Sequence, residues 1–304
     1  MLTPLEHYPD LAKTIGLPDI YFKREDLNPY GSHKGRSIPF MIDYYYEKGN
    51  RHFAISSSGN AALAAIIHTN KINTGNAQPI DLDIFVGNHI APHKLEKLKL
   101  ASQSLDNSVS AKVGINDSHV RILIKERPLQ ALTQAVEEGS RSLRQSTDDQ
   151  ALIGYETLAE ELTQTKNIGA VVIGTSSGTT AQALAEYFLK NKLPIQIHLV
   201  QTSSCHPMSD AFETFDGSDD RSDADAIVDQ TAYRKTKLIP LIKKTGGHGW
   251  IASNDDIYSA QELVKKHTGL EISTNSALSV VGAMQIAYRG FEVKGAVVCM
   301  ICGK

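Results

Sequence analysis

The chain has 304 residues, and 31 lysines and arginines against 34 aspartates and glutamates give it a net charge of −3. A charge this small excludes a bulk electrostatic attraction to nucleic acid or to an anionic membrane surface. No apolar run approaches the roughly 18–20 residues that cross a bilayer, and three cysteines are too few for a disulfide framework. These features predict a soluble, cytoplasmic chain of about two domains, because single hydrophobic cores stop growing near ~250–300 residues.

Short β-rich runs alternate with longer helical patterns along the chain. The predicted strands cover residues 53–55, 83–86, 170–173, 195–200 and 296–301. The last of them is almost wholly apolar, as is typical of a strand buried on both faces. Alternation of this kind predicts an α/β fold with parallel sheets and helices on both faces.

Apolar residues also recur at helical spacing in two segments. These two stripes consist of Ile38, Met41, Ile42 and Tyr45, and then of Ala181, Leu184, Ala185 and Phe188. Pro39 lies within the first stripe, so we expect that helix to begin close before it, in the turn whose N–H groups are unpaired. Ser253 and Asp256 predict a capping box at the start of a third helix.

Parallel sheets bind ligands beyond the carboxyl ends of their strands, so the strand-to-helix turns are the places to search for chemistry. One such turn is the 174–180 loop, which contains Gly174, Thr175, Ser176, Ser177, Gly178, Thr179 and Thr180. Its glycines let the backbone approach a ligand, and the following helix N-terminus favours an anion, typically a phosphate. The pattern is neither GxxxxGK[ST] nor GxGxxG, and its alternative interpretation is a tight turn with a hydroxyl cap.

A second turn, the 57–60 loop, joins a strand to an alanine-rich helix. Ser57, Ser58, Gly59 and Asn60 suit a carboxylate or another anion at the helix N-terminus, although taken alone they are better explained by ordinary N-capping. In a third segment, Lys34 follows a Pro-Tyr-Gly-Ser turn at the start of a helix. An ammonium is unfavourable at that end of the helix dipole, so the position favours the neutral amine that a Schiff-base lysine needs; the alternative is a surface lysine.

Together and in this order, the three motifs resemble those of the tryptophan synthase β-like superfamily of pyridoxal 5′-phosphate (PLP) enzymes, fold type II. Residues 23–34 resemble its lysine segment, the 57–60 loop resembles its [ST]-S-G-N loop, and the 174–180 loop resembles its phosphate cup. Segments similar to threonine synthase-like proteins run over most of the chain and are weakest in 101–150. These further segments are 154–161, 200–202, 204–207, 244–247 and 253–263.

The resemblance implies two domains, each with a mostly parallel twisted sheet flanked by helices. Because relatives are commonly homodimers, it also implies a homodimer. The smaller domain would comprise residues 29–147 and the larger one residues 1–28 plus 148–304, with the polar segment 145–150 as a linker. The smaller domain would carry Lys34 and the 57–60 loop, and the larger one the 174–180 loop.

The resemblance also assigns roles to residues. Lys34 would be the catalytic residue and hold PLP as a Schiff base, Asn60 would bond its 3′ oxygen, and the 174–180 loop would cradle its phosphate. Ser57, Ser58 and Gly59 would hold the substrate carboxylate. Cys302 falls where relatives contact the pyridine nitrogen, in competition with Ser273, Thr274 and Ser276. The candidates for binding a phosphate on the substrate are Tyr155, His33, Arg36 and Lys94.

The implied function is elimination or replacement at Cβ or Cγ of a small amino acid through an aminoacrylate-type intermediate, as in a threonine synthase-like lyase. The alternatives are an L-serine/threonine ammonia-lyase, a cysteine synthase-type β-replacement enzyme and a non-catalytic binder of a phosphate ligand. The sequence departs from the family at Gly35, at residues 176–178 and at residues 113–118, which leaves the substrate open. No metal site is predicted, because Cys299 and Cys302 fall on opposite faces of one strand.

Overall fold

The structure, a computed structural model, describes residues 2–103, 119–165, 167–215, 217 and 221–303. The chain divides into two compact units. The larger unit consists of Met1–Asn28 with Tyr155–Lys304, and the smaller unit is Pro29–Gly154. The atypical segment 113–118 lies outside the described residues. Among the helices that are described, none combines the length and the apolar character that crossing a membrane requires.

Strands and helices alternate along the described residues. In chain order the strands are β1 Leu5–His7, β2 Ile20–Arg24, β3 His52–Ser56, β4 Asp81–Gly87, β5 Val120–Lys125, β6 Arg141–Ser142, β7 Ile168–Gly174, β8 Gln196–Thr202, β9 Gly249–Ala252 and β10 Ala296–Ile301. The helices are α1 Pro9–Ile15, α2 Lys34–Glu47, α3 Asn60–Asn73, α4 Pro92–Gln103, α5 Pro128–Glu137, α6 Gln150–Ile153, α7 Glu156–Thr163, α8 Thr179–Lys190, α9 Lys235–Thr245, α10 Asn254–Thr268 and α11 Thr274–Tyr288. All the strands predicted from the sequence are confirmed, as β3, β4, β7, β8 and β10.

The larger unit is built on a six-stranded sheet in the order β1-β2-β10-β7-β8-β9. The β1 strand is antiparallel to β2, and every other neighbouring pair is parallel. Every residue of β10 is buried, which confirms the prediction from its apolar sequence. One face of this sheet packs against α1, α10 and α11 in a continuous hydrophobic core.

The smaller unit is built on a four-stranded, all-parallel sheet in the order β5-β4-β3-β6. Successive strand residues point to opposite faces. Phe53 and Ile55 therefore pack with α2 and α3, whereas Ala54 packs with α5 on the other face. The predicted α2 stripe is buried in the first of these clusters. Helices on both faces of a parallel sheet are the predicted architecture.

Two local predictions about helix starts have different outcomes. Ser253 caps α10 in a capping box with Asp256, as predicted. The expectation for Pro39 is wrong, because α2 begins at Lys34, more than one turn before the proline. Hydrogen bonds from the Gly35 N–H to the Ser32 carbonyl (3.0 Å) and from the Arg36 N–H to the His33 carbonyl (3.1 Å) start the helix early. The buried stripe then stabilises α2 despite the bond that Pro39 cannot donate.

The polar segment 145–150 is folded against the smaller unit. Asp148 accepts hydrogen bonds from the Tyr45 hydroxyl at 2.7 Å and from the Arg141 guanidinium at 2.8 Å. The Ser37 hydroxyl donates to the Ala151 carbonyl at 2.8 Å, which fixes α6 on α2. Asp148, one of the polar residues that suggested a linker, therefore binds to neighbouring elements, and the smaller unit continues to Gly154.

Each sheet has one point where the strand order reverses. In the larger unit the chain runs from β7 through β8 to β9 and returns as β10 on the other side of β7. Cys299 pairs with Val172, so β7 and β10 end at the same level of the sheet. In the smaller unit the chain runs from β3 to β5 and returns as β6 beside β3. Crevices of this kind, beyond the carboxyl ends of the strands, are where open α/β sheets bind ligands.

A fully buried histidine lies in the core of the larger unit. The Trp250 indole N–H donates to Nδ1 of His198 at 3.1 Å, so the imidazole proton lies on Nε2, which is 3.0 Å from Oε1 of Gln196. This arrangement suits the neutral ring alone. Burial, with a smaller contribution from His248, lowers the pKa of His198 to about 3.

This histidine predicts a loss of stability in acid. Between pH about 6.5 and about 3 the unfolded chain binds a proton that folded His198 does not, so the free energy of unfolding falls as the pH falls through that window. One such proton corresponds to a slope of about 1.4 kcal/mol per pH unit. We expect His198→Gln to reduce the slope by about this amount, as measured by urea unfolding with the fluorescence of Trp250. Equal slopes in wild type and His198→Gln would contradict the prediction.

Candidate active site

Lys34 is the first residue of α2 and is half-buried. Its backbone N–H donates to the hydroxyl of the buried Ser32 at 3.3 Å. Gly31, three residues earlier, has a φ of 78°, a left-handed conformation that favours glycine. The turn that precedes the lysine is thus held by the Ser32 side chain and by the left-handed Gly31, and Lys34 lies at the helix start that the sequence predicts.

A side-chain network that the sequence did not reveal ties this turn to two helices. The hydroxyl of Tyr30, in the turn, is 2.8 Å from Nδ1 of His68 on α3. The other ring nitrogen of His68 is 2.7 Å from Oδ1 of Asp43 on α2. Tyr30 and His68 are buried. The network therefore holds the turn before Lys34, the helix that Lys34 begins and the helix that Asn60 begins in one arrangement.

The 57–60 loop connects the end of β3 to the first residue of α3, Asn60. The Gly59 N–H donates to the Ser57 hydroxyl at 3.3 Å, and Gly59 is the N-cap of α3 without a side-chain capping bond. The alternative interpretation, in which these residues are ordinary N-caps, therefore does not describe the loop. All four residues are half-buried, and the helix N-terminus beside them favours a bound anion. The loop also lies at the end of β3, beside the point where the strand order reverses.

The 174–180 loop connects β7 to α8 in the larger unit, and its two glycines are required by close packing. A Cβ on Gly174 would lie 2.9 Å from the Asn275 carbonyl oxygen. Gly178 has a φ of 79°, and a Cβ there would lie 2.6 Å from Cδ2 of Leu238. Gly178 is the N-cap of α8 and makes no side-chain capping bond. A side chain at either position would displace the loop.

The hydroxyl groups of the 174–180 loop face different partners. Thr175 donates to the Ile173 carbonyl at 3.2 Å. The hydroxyl oxygen of Ser176 accepts from two backbone N–H groups, those of Val228 and Asp229, at 3.1 Å each. Ser177 and Thr179 lie 2.9 Å apart at their hydroxyl oxygens. Thr180 is buried. Thus Ser176 holds the loop to residues 228–229, which the sequence did not indicate, and Thr175 bonds the end of β7.

Cys302 is buried directly after β10, the parallel neighbour of β7. The Ser273 and Ser276 hydroxyls donate to the Gly303 carbonyl at 2.7 and 2.9 Å. The Thr274 hydroxyl donates to the Asp223 carbonyl at 2.8 Å. Ser273 also lies 3.1 Å from the Ser276 hydroxyl, so each of the three competing hydroxyls has an acceptor on the backbone or on a neighbouring hydroxyl. The role of Cys302 at the pyridine nitrogen stays a prediction.

Residues 2–303 match the model of the family described as pyridoxal-phosphate dependent enzyme. The chain belongs to this family. A threonine synthase of Methanosarcina acetivorans is 23% identical in an alignment 316 positions long, which covers 99% of this chain and 74% of that protein. A serine dehydratase-like protein of Homo sapiens is 36% identical over 72 residues, 24% of this chain and 22% of that protein. A solved PLP-dependent aspartate racemase superposes with a TM-score of 0.78 over 99% of this chain and 89% of its own, at 19% identity, which shows a shared fold.

PLP is thus the cofactor of this enzyme, and the residues present fit its phosphate. The 174–180 loop contains no carboxylate, and the first turn of α8 is uncapped by a side chain. Backbone N–H groups and hydroxyls at a helix N-terminus are suitable donors for a phosphate. The loop also lies where the strand order of the larger sheet reverses. The structure and the chemistry of the donors therefore agree with the cofactor of the family.

The candidates for binding a substrate phosphate fall in different units of this PLP-dependent enzyme. Tyr155 is fully buried at the N-cap of α7 in the larger unit. His33, Arg36 and Lys94 belong to the smaller unit, the first two beside the start of α2 and the third on α4. Arg36 is buried, and His33 and Lys94 are half-buried. Their role in substrate binding stays a prediction.

The network around Tyr30 predicts a local effect on stability. Tyr30→Phe removes one buried hydrogen bond, worth about 1 kcal/mol, so α2 and α3 should exchange amide hydrogens about fivefold faster in hydrogen-exchange mass spectrometry. Tyr44→Phe is the matched control on α2, because its hydroxyl accepts from the exposed Lys48. Equal exchange in the two variants would show that the Tyr30 bond does not hold these helices.

Proposed function

We propose that this PLP-dependent enzyme is a threonine synthase-like lyase, which removes the γ-substituent of a homoserine ester and adds water at Cβ. The observation that carries the proposal is Cys302 at the end of β10, beside the strand that leads into the 174–180 loop. A thiol is a neutral partner and does not hold a pyridine nitrogen protonated as a carboxylate would. Elimination and replacement are therefore favoured over transamination and decarboxylation.

Within that chemistry, two observations favour a threonine synthase-like reaction. The likeness to the M. acetivorans threonine synthase extends over 99% of the chain. The motifs at 154–161, 204–207 and 244–247 also resemble threonine synthase-like proteins. The second candidate is an L-serine/threonine ammonia-lyase, favoured by the higher identity, 36%, to the serine dehydratase-like protein over a shorter segment of 72 residues.

The proposed roles of the residues come from the family resemblance, and their positions at helix N-termini support them. Lys34 Nζ would hold PLP, and the same amine, once free, would accept the Cα proton of the substrate as general base. Bound PLP withdraws electrons from the substrate's Cα. The 57–60 loop binds the substrate carboxylate at the N-terminus of α3, and the Asn60 amide bonds the 3′ oxygen of the cofactor. The 174–180 loop binds the cofactor phosphate.

A product screen tests this proposal. PLP-loaded protein is incubated with O-phosphohomoserine, serine, threonine or O-acetylserine, and phosphate, ammonia, keto acid and amino-acid products are measured. We expect O-phosphohomoserine and water to give threonine and phosphate. Ammonia and keto acid from serine or threonine, without turnover of O-phosphohomoserine, would instead establish the ammonia-lyase. Lys34→Ala should lose all turnover and the visible absorption of lysine-bound PLP; persistence of that absorption would contradict the assignment of Lys34.

A further inference from the structure

A buried arginine contacts the 174–180 loop and its helix from a distant part of the chain. Arg234 is the N-cap residue of α9 and is only 3% exposed. Its Nε donates to the hydroxyl oxygen of Thr179 at 3.2 Å, and its Nη1 donates to Oε1 of Gln182 at 3.1 Å. Both acceptors lie in the first turn of α8. A guanidinium with two directed bonds into one helical turn fixes both the position and the rotation of that turn.

The direction of these bonds extends the influence of Arg234 to the surface of the loop. A guanidinium only donates, so Thr179 accepts from it. Thr179 is 1% exposed and lies 2.9 Å from the hydroxyl of Ser177, which is half-buried. A chain of hydrogen bonds therefore leads from a buried cation through Thr179 to Ser177. Charged donors make the stronger hydrogen bonds, and bonds in a chain polarise one another.

The segment that carries Arg234 is itself fixed on the loop. The backbone N–H groups of Val228 and Asp229 donate to the Ser176 hydroxyl, and Leu238 packs where Gly178 lacks a side chain. Arg234 thus approaches the loop from a segment that touches it at several points. The 174–180 loop has no lysine or arginine of its own, although a phosphate monoester carries between one and two negative charges near neutral pH.

We propose that Arg234 is a positioning residue for the phosphate of PLP, acting through Thr179 and Ser177. The inference rests on the proposed assignment of the 174–180 loop to that phosphate. If the inference is correct, a substitution of Arg234 changes the affinity for ligands that carry the phosphate and does not change the affinity for ligands that lack it. A role in folding alone would affect both kinds of ligand equally.

The experiment compares PLP with pyridoxal, which has the same ring and aldehyde and no phosphate. Full-length protein is freed of its cofactor by dialysis against an amine and titrated with each compound, and binding to Lys34 is followed by visible absorbance. For Arg234→Gln we expect the dissociation constant for PLP to rise on the order of tenfold, as for a lost hydrogen bond to a charged group. The constant for pyridoxal should be unchanged.

Thr179→Val tests the same chain of bonds from its other end and replaces Arg234→Gln if that variant does not fold. Thr179→Val should weaken the binding of PLP and leave the binding of pyridoxal unchanged. The double variant should bind PLP no more weakly than the worse single variant. Arg127→Gln, which removes an exposed charge from the smaller unit, should match wild type.

Equal weakening of PLP and pyridoxal in both variants, or unchanged PLP binding, would overturn the proposal for Arg234. Failure of the underlying assignment of the loop gives a different result: wild-type protein would then bind PLP and pyridoxal with the same dissociation constant.

Discussion

The larger unit depends on β10, which pairs in parallel with both β2 and β7. Val298 lies opposite Tyr21 on one side and opposite Val171 on the other. This pairing brings a strand from the start of the chain into a sheet formed by its last half. It also makes β10 and β7 neighbours at the point where the strand order reverses, so that the 174–180 loop and Cys302 extend from adjacent strand ends. A buried ion pair at 2.5 Å between Lys23 on β2 and Glu161 on α7 is a second contact between the start of the chain and its last half.

The sheet of the smaller unit also has one point where the strand order reverses, but different functional groups lie beside it. Its reversal lies between β3 and β6, and β3 leads into the 57–60 loop. Lys34 begins α2, which packs on α3, and the Tyr30–His68–Asp43 network ties both helices to the lysine turn. The larger unit supplies a loop suited to a phosphate, and the smaller unit supplies an amine and a loop suited to a carboxylate. Both sets of groups lie at helix N-termini, where the helix dipole favours an anion. The chain therefore does not need a positive net charge to bind one.

The sequence indicates those elements whose burial leaves a local pattern. The buried strand β10 is apolar throughout, and α2 and α8 show their buried stripes, so these elements are predictable. The two-residue strand β6, Arg141–Ser142, is polar and has no period to detect. The start of α2 depends on the bonds of Ser32 and His33 to the residues after them, and Pro39 alone points to a later start. In segment 145–150 the Asp148 side chain binds Tyr45 and Arg141, and composition alone cannot distinguish such a residue from one in a linker.

The candidate site likewise has one part that could be predicted from the sequence and one part that could not. Lys34, the 57–60 loop and the 174–180 loop are contiguous motifs at strand-to-helix turns and could be found from the sequence. Arg234 and Thr179 are 55 residues apart, and Tyr30 and His68 are 38 apart. Nothing in the local sequence marks those contacts, because they exist only after the helices have packed. The residues that bind the loops and turns of the candidate site are therefore seen only in the structure.

The central claim is that Lys34 is the lysine that holds PLP. Borohydride reduction of the PLP-loaded protein, followed by proteolysis and mass spectrometry, locates the modified lysine directly. The account predicts a single pyridoxyl-phosphate group on the peptide that contains Lys34. Modification at another lysine, or the absence of any modified peptide, would contradict it.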